Sequence, residues 1–294
     1  MLESSKGNAR SRLIPQEMTY ARSILDADCF KELLREAEEH PVGGWDFSWL
    51  GDRLINHPLS WDYEAMLTDH ARHSADLLDL GTGGGEFLAG LAHRPVRTVA
   101  TEAWPPNVAI AERRLRPLGI EVVEVESAGE NAQQGGAAAF ARLPFADESF
   151  MLIASRHESF VPREVARVLH PGGVFLTQQV GADYREFHDA LGLPAPPASG
   201  WNLKLAISQL EGAGLEIRDS GEGSAAMTFS DIGAFAWYLK AIPWMIDGFC
   251  LETHRGQLEL LHQRLLAEGP VTIRMPAFWV EAIKHKPSKP LRGF

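Results

Sequence analysis

The chain has 294 residues, 45% of them hydrophobic, two cysteines and a formal net charge of −11. That length holds one large domain, or one domain with an appended lid, and the apolar content suffices for a real core. No dense Lys/Arg run marks a phosphate-neutralising surface, which disfavours nucleic acid as a partner, and no apolar run reaches the ~20 residues of a membrane span.

Residues 1–16 are polar and small and read as a disordered tail. Residues 17–39 read as a helix with Ile24, Leu25, Leu33 and Leu34 as its apolar positions, ended by Pro41-Val42-Gly43-Gly44. Trp45, Phe47, Trp49, Trp61 and Tyr63 then crowd into fewer than ~20 residues. Two readings fit them: a cap packing on a sheet, or an aromatic wall over a substrate pocket. Residues 17–70 are taken as this N-terminal cap. His70 and His73 lie three apart on a predicted helix with no third ligand in register, so they read as solvated or core-edge histidines and no metal is expected. Cys29 and Cys250 have no neighbours at metal-ligand spacing and force no disulfide, which fits a reduced, cytoplasmic setting.

The stretch Leu77-Leu78-Asp79-Leu80-Gly81-Thr82-Gly83-Gly84-Gly85-Glu86-Phe87-Leu88 carries the most information. A short apolar run, a glycine-rich turn and a helical pattern make the first β-turn-α unit of a nucleotide-binding sheet, and such turns meet ligands at the carboxyl ends of strands. The glycines fall at 81, 83, 84 and 85, which is not G-x-G-x-x-G, and Glu86-Phe87 stands where a P-loop needs Lys and Ser or Thr. An acid beside the turn repels pyrophosphate and suits a cationic ligand. Arg97-Thr98-Val99-Ala100-Thr101-Glu102 reads as a second strand ending in an acid about 20 residues on, the spacing of a ribose-binding carboxylate. Pro105-Pro106-Asn107 opens the next helix, through Leu115, and the Arg113-Arg114-Arg116 group reads as its solvated face.

The D-x-G-T-G-G-G pattern resembles motif I of the class I S-adenosylmethionine-dependent methyltransferases. Leu143-Pro144-Phe145-Ala146-Asp147-Glu148-Ser149-Phe150 resembles that family's entry into strand four, with Met151 replacing the usual following aspartate. Glu164-Val165-Ala166-Arg167-Val168-Leu169-His170-Pro171-Gly172-Gly173 resembles its turn into strand five. The resemblance implies S-adenosylmethionine as cofactor, with Asp79, Gly81, Thr82, Gly83, Gly85, Glu102, Ala103 and Trp104 as its ligands, Glu102 on the ribose and Trp104 against the adenine. One departure stands out. The acid that the family places before the Leu-Pro-Phe segment, on the adenine amino group, is replaced by Ala138-Ala139-Phe140-Ala141-Arg142, after a Gly/Ala/Asn/Gln-rich stretch from Ser127 to Ala139 that reads as an insertion. Glu124 or Glu126 is then the candidate for that contact.

The fold implied is α/β: a Rossmann-like, seven-stranded, mostly parallel sheet of order 3-2-1-4-5-7-6 with helices on both faces. Residues 71–222 form the methyltransferase core. Its later part holds a loop over 194–200, a helix over 203–213 and a sixth strand at Leu215-Glu216-Ile217-Arg218. Residues 223–268 read as an inserted helical lid between strands six and seven, N-capped at Ser230-Asp231. Residues 269–294 hold the last strand and a tail. Val271–Arg274 and Phe278–Ile283 are candidates for that strand, with Pro276 counting against an unbroken run.

At the end of strand four, Ser155-Arg156-His157-Glu158-Ser159-Phe160 is where an acid or base would stand. No Asn/Asp-Pro-Pro-Tyr motif of base-amine methylation occurs there. His157 has a pKa range suited to proton abstraction and Glu158 could orient it or bind a cationic acceptor. The bland alternative is a polar network holding the loop. The expected activity is methyl transfer to nitrogen or oxygen of a small-molecule acceptor by in-line displacement. Two alternatives stand beside it: an rRNA or tRNA base methyltransferase, since Glu102-Ala103-Trp104-Pro105-Pro106-Asn107-Val108 also resembles some ribosomal guanine methyltransferases, and a non-catalytic cofactor-binding partner or sensor. The oligomeric state is not readable.

Overall fold

The computed structural model describes residues 15–43, 45–128, 142–197 and 200–286. Most of the expected tail, and residues 129–141 of the expected insertion and its replacement segment, lie outside the described residues.

Eight strands form one sheet: β1 (Leu54–Asn56), β2 (Asp76–Leu80), β3 (Arg97–Glu102), β4 (Glu121–Glu124), β5 (Phe150–Arg156), β6 (Leu169–Val180), β7 (Leu215–Phe229) and β8 (Val271–Lys284), in the spatial order β1-β7-β8-β6-β5-β2-β3-β4. The five strands β2 to β6 are parallel to their neighbours, while β8 runs antiparallel between β6 and β7 and β1 antiparallel on the outside of β7. The expected count of seven is thus corrected to eight. β1 is three residues from the aromatic-rich stretch, too short to announce itself in sequence, and it pairs Leu54–Asn56 with Phe229–Met227.

The central strands are near-continuous apolar runs because both faces are covered. One face packs Leu67, Leu77, Ala100, Leu115 and Leu176 under α2 (Tyr63–Arg72), α3 (Glu86–Gly90) and α4 (Pro105–Leu115). The other packs Leu78, Ile153, Val165, Phe175 and Leu210 under α5 (Pro162–Val168) and α7 (Leu203–Gly212). Where the chain turns between these layers, Tyr63 is buried and its hydroxyl donates to Ser155 O at 3.2 Å and Leu176 O at 3.1 Å, tying α2 to the tops of β5 and β6.

Two expectations about the C-terminal half are corrected. β7 continues past Arg218 to Phe229, and β8 runs unbroken through Pro276. In a strand the N–H and C=O of one residue point the same way. Pro276 O accepts from Gly181 N at 2.7 Å, so its missing N–H falls on that same side, beyond the last β6 rung at Val180↔Ala277, and no β7 bond is lost. Residues 223–229 therefore belong to the sheet, not to a lid.

The helical insertion proper comprises α8 (Ile232–Ala241) and α9 (Arg255–Glu268), and it is a second core rather than a free cover. Asp231 Oδ1 caps α8 by accepting from Ala234 N at 2.9 Å. Ile232 to Leu239 are all buried, against α1 (Pro15–Glu39), α6 (Arg185–Ala190), Met227 and Phe229 of β7, and Ile273 and Met275 of β8. From α1 come Phe30, Leu34 and Ala37, with Leu33 half-buried; the side chains of Ile24 and Leu25 lie outside the described part. Lys240 Nζ donates to the Ala37, Glu38 and His40 carbonyls at 3.1, 2.6 and 2.9 Å, satisfying the open C-terminus of α1. Trp237, 1% exposed, donates to His40 O at 3.2 Å and meets Trp49 and Phe47. Trp237→Ala is expected to cost about 3–5 kcal/mol through the cavity it leaves; urea unfolding followed by circular dichroism measures this, and a loss below about 1 kcal/mol would mean that the helical layer is only loosely seated.

Candidate active site

The carboxyl end of β2 lies between β3 and β5, the point where chain connections leave in opposite directions and open sheets bind ligands. Gly81 and Gly83 there have φ of +66° and +63°. A Cβ at Gly81 would stand 2.1 Å from Glu158 Cγ, and one at Gly83 would stand 2.7 Å from Trp45 Cδ1, so both the backbone conformation and the close approach require glycine. Gly85 instead faces Leu115 and serves the packing of α3 on α4. Thr82 N donates to Thr101 O at 2.8 Å, and Gly83 N donates to Glu102 Oε2 at 2.7 Å. Arg114 donates to Gly84 O and pairs with Glu86, so it clamps the turn from α4 and is not merely the solvated helix face expected.

Three carboxylates converge on this turn. Asp79, one residue before the end of β2, is 5% exposed; burial pushes its pKa up to about 7, offset in part by the adjacent Thr82 hydroxyl and the Arg156 guanidinium. Thr82 Oγ1 is itself buried beside Asp79 and closes no hydrogen bond of normal length. Glu102, also 5% exposed, accepts from Ala103 N (3.0 Å) and Trp104 N (2.8 Å) on Oε1 and from Gly83 N on Oε2. Burial raises its pKa and those three N–H groups lower it, with a net rise. A carboxylate has about four acceptor positions, so one on Oε2 is spare. Glu158 lies over Gly81; burial, then the Glu102 charge, push it up to about 7.

Beside the turn opens a small cleft, lined among others by Gly81, Ala103, Val125, Glu126, Glu158 and Phe160. Of the two sequence candidates on β4, Glu126 lines it, whereas Glu124 is an exposed strand end opposite Glu102. Trp104, 49% exposed, N-caps α4 just outside.

The loop after β5 carries the two residues singled out for chemistry. His157 has φ +62° and is held through its backbone N to Gln178 O at 2.8 Å and its ring Nε2 to Gln178 Nε2 at 2.9 Å. Desolvation by surrounding protein and the adjacent Arg156 charge push its pKa below the ordinary range, the first tempered by the residue's exposed surface. Gln178, in turn, accepts from Trp61 Nε1 at 2.8 Å. Gln178 and Trp61 were not identified from sequence as a pair; the signal was a Gln-Gln step closing an otherwise apolar strand.

The aromatic-rich stretch divides between both readings. Phe47 and Trp49 pack on the α8 core, Tyr63 is buried, and Trp61 reaches Gln178. Trp45 covers Gly83 and meets Trp244 edge-on at 5.7 Å, both partly exposed. His70 pairs with Glu281 at 3.2 Å, and His73 Nδ1 lies 2.8 Å from Asp69 O. Cys29 and Cys250 are exposed and unpaired.

The Gly81 site makes a direct prediction. Gly81→Ala should leave the chain folded yet abolish ligand binding at the turn, because the new Cβ displaces Glu158 into the cleft; equilibrium dialysis with a candidate ligand beside a thermal melt separates the two effects.

No curated protein matches the chain significantly. Among solved structures, the chain is similar to the YcgJ protein of Bacillus subtilis (18% identity, 76% of this chain and 98% of that one, TM-score 0.51) and to a putative methyltransferase of Bacillus halodurans (20% identity, 76% and 99%, TM-score 0.51), a likeness of fold. Residues 78–177 match the model of the methyltransferase domain family, from the middle of β2 into β6, so that they enclose the glycine turn, Glu102 and the loop of His157 and Glu158. That match spans about a third of the chain and marks the segment as similar to a methyltransferase domain.

Proposed function

We propose that the chain transfers a methyl group from S-adenosylmethionine to nitrogen or oxygen of a small-molecule acceptor by in-line displacement. The observation that carries this reading is the gathering of Asp79, Glu102 and Glu158 at one glycine turn. Among the described residues, the only cation acting on any of the three is Arg156, on Asp79. Such a site repels phosphate and favours a ligand with separated positive charges, as an ammonium and a sulfonium provide.

The residues fit that cofactor in kind. Glu102 has one acceptor position left for a ribose hydroxyl. Gly81 and Gly83 let Glu158 and Trp45 come close over the turn's backbone. Asp79 and Glu158 supply negative charge, Glu126 an acid at the far side of the cleft for the adenine amino group, and Trp104 a flat face beside Glu102. When bound, the cofactor supplies an electrophilic methyl group on sulfur. The protein's part is alignment of the acceptor and exclusion of water, and Trp45 and Trp244 stand over the turn to do the second. The acidic chain, with net charge −11, supports a small acceptor over RNA.

Incubation with methyl-labelled cofactor and either metabolite extract or total RNA tests this. Label entering a small molecule is expected. Label entering RNA alone would overturn the acceptor class, and binding without transfer to any acceptor would overturn catalysis. Glu102→Ala should weaken cofactor binding by about 1–3 kcal/mol in calorimetric titration.

A pH dependence follows from the two carboxyl groups held near 7. The cation binds their ionised forms, so affinity should rise as pH increases through about 7, with protons released on binding. The ligand-free protein moves the other way. Between the ordinary carboxyl range and 7 its folded state binds more protons than its unfolded state, so its stability falls as pH rises over that window. Titrations in buffers of different ionisation enthalpy, beside melts over the same pH range, measure both; affinity flat from pH 6 to 8 would remove these carboxyls from the binding site.

A further inference from the structure

Gln178 is buried in β6, opposite Arg156 of β5, and its amide orientation is fixed by chemistry. The indole N–H of Trp61 only donates, and it reaches Gln178 Oε1 at 2.8 Å. Turning the amide over would set N–H against N–H. The amide nitrogen, which carries two protons, therefore faces His157 Nε2 at 2.9 Å. A donor at that distance needs a lone pair on the ring nitrogen. The remaining ring proton must then sit on Nδ1, for which no hydrogen-bond partner is recorded among the described residues. A second ring proton would have to displace the Gln178 amide, beside the Arg156 guanidinium. The same Gln178 also accepts the His157 backbone N–H at 2.8 Å, which holds the residue at φ +62°, a conformation uncommon outside glycine and kept where the surroundings impose it.

We infer that Trp61 and Gln178 pin His157 as a neutral imidazole with its proton on Nδ1, so that the ring offers a hydrogen-bond donor and is not the base of the reaction. This reverses the proton abstraction expected from sequence for His157. The tautomer stands on the hydrogen bonds alone; its meaning for the acceptor rests on the methyl transfer proposed above. An alkylammonium must lose a proton before it can attack, and His157 held in this way does not take it. Trp61 and Gln178 are positioning residues.

Long-range nitrogen–proton NMR of histidine-labelled protein, recorded without any ligand, reads the tautomer directly. His157→Asn, a residue that tolerates positive φ, assigns the signal. Wild-type protein should show a bare Nε2 and a protonated Nδ1. Gln178→Glu presents acceptors to both Trp61 and the ring, so the proton should move to Nε2. Trp61→Phe keeps most of the packing and frees the amide, so the single tautomer should give way to a mixture. A wild-type spectrum with protonated Nε2, or one unchanged in Trp61→Phe, overturns the inference. The wild-type measurement needs no variant to fold and no cofactor to bind, so failure of methyl transfer leaves it intact.

Discussion

Three acids share the inside of one turn, and most of the site's features follow from that crowding. Burial leaves them poorly hydrated, which is the main reason why Asp79 and Glu158 are pushed to about 7, with the Glu102 charge adding to it. The protein spends its own donors on only one of them. Glu102 takes three backbone N–H groups, and by taking Gly83 N it shapes the turn while keeping one position open. Among the described residues Asp79 draws on the Thr82 hydroxyl and Glu158 on one backbone N–H, that of Ser159, fewer donors than Glu102 takes. Arg156, the cation that acts on Asp79 among the described residues, lies over the Phe87 ring at 4.5 Å, which keeps the guanidinium to one side.

The wall above this turn is built by extending a hairpin. β7 and β8 continue pairing from Ser224↔Pro276 to Phe229↔Val271, past the last β6 rung, on the ligand side of the parallel strands. Six further residues at about 3.3 Å each give an overhang of roughly 20 Å. Its Met227, Phe229, Ile273 and Met275 need cover, and α1, α8 and α9 provide it. The helical layer is therefore anchored in the sheet itself and capped into α1 by Lys240, which suits a fixed roof more than a hinged one. Trp244, just after α8, then meets Trp45 over Gly83, so the two ends of the non-core chain close on the same turn.

Local chemistry made the parallel half of the fold legible in sequence. The Leu77–Leu80 run, the glycine turn, the spaced Glu102 and the Pro171-Gly172-Gly173 turn each declare themselves within a few residues, and the described strands and helices follow them closely. The rest depends on partners distant in sequence. Nothing in Leu54-Ile55-Asn56 marks a strand until Phe229 lies beside it. Pro276 looked like a break because the direction of its missing N–H is set by where β6 ends. Arg114 looked solvated because its partner, the Gly84 carbonyl, is a backbone atom 30 residues away. In the site, the acids were visible as strand-end residues, but the crowding of Glu158 onto Gly81 and the grip of Gln178 on His157 arise only from neighbouring strand tips.

The small residues of β7 carry this coupling one step further. A Cβ at Gly221 would stand 2.5 Å from Trp279 Nε1, and one at Gly223 would stand 3.0 Å from Trp61 Cζ3. A side chain at Gly221 would clash with Trp279, and one at Gly223 would press Trp61 back by a few tenths of an ångström. Trp61 needs that seat to bring its N–H onto Gln178, and Gln178 needs the N–H to keep its amide turned toward His157. The inferred ring proton of His157, on the loop after β5, is thus linked to a glycine in β7 through two side chains, each contact within hydrogen-bond or van der Waals range. Sequence shows that packing only as a Gly-x-Gly step.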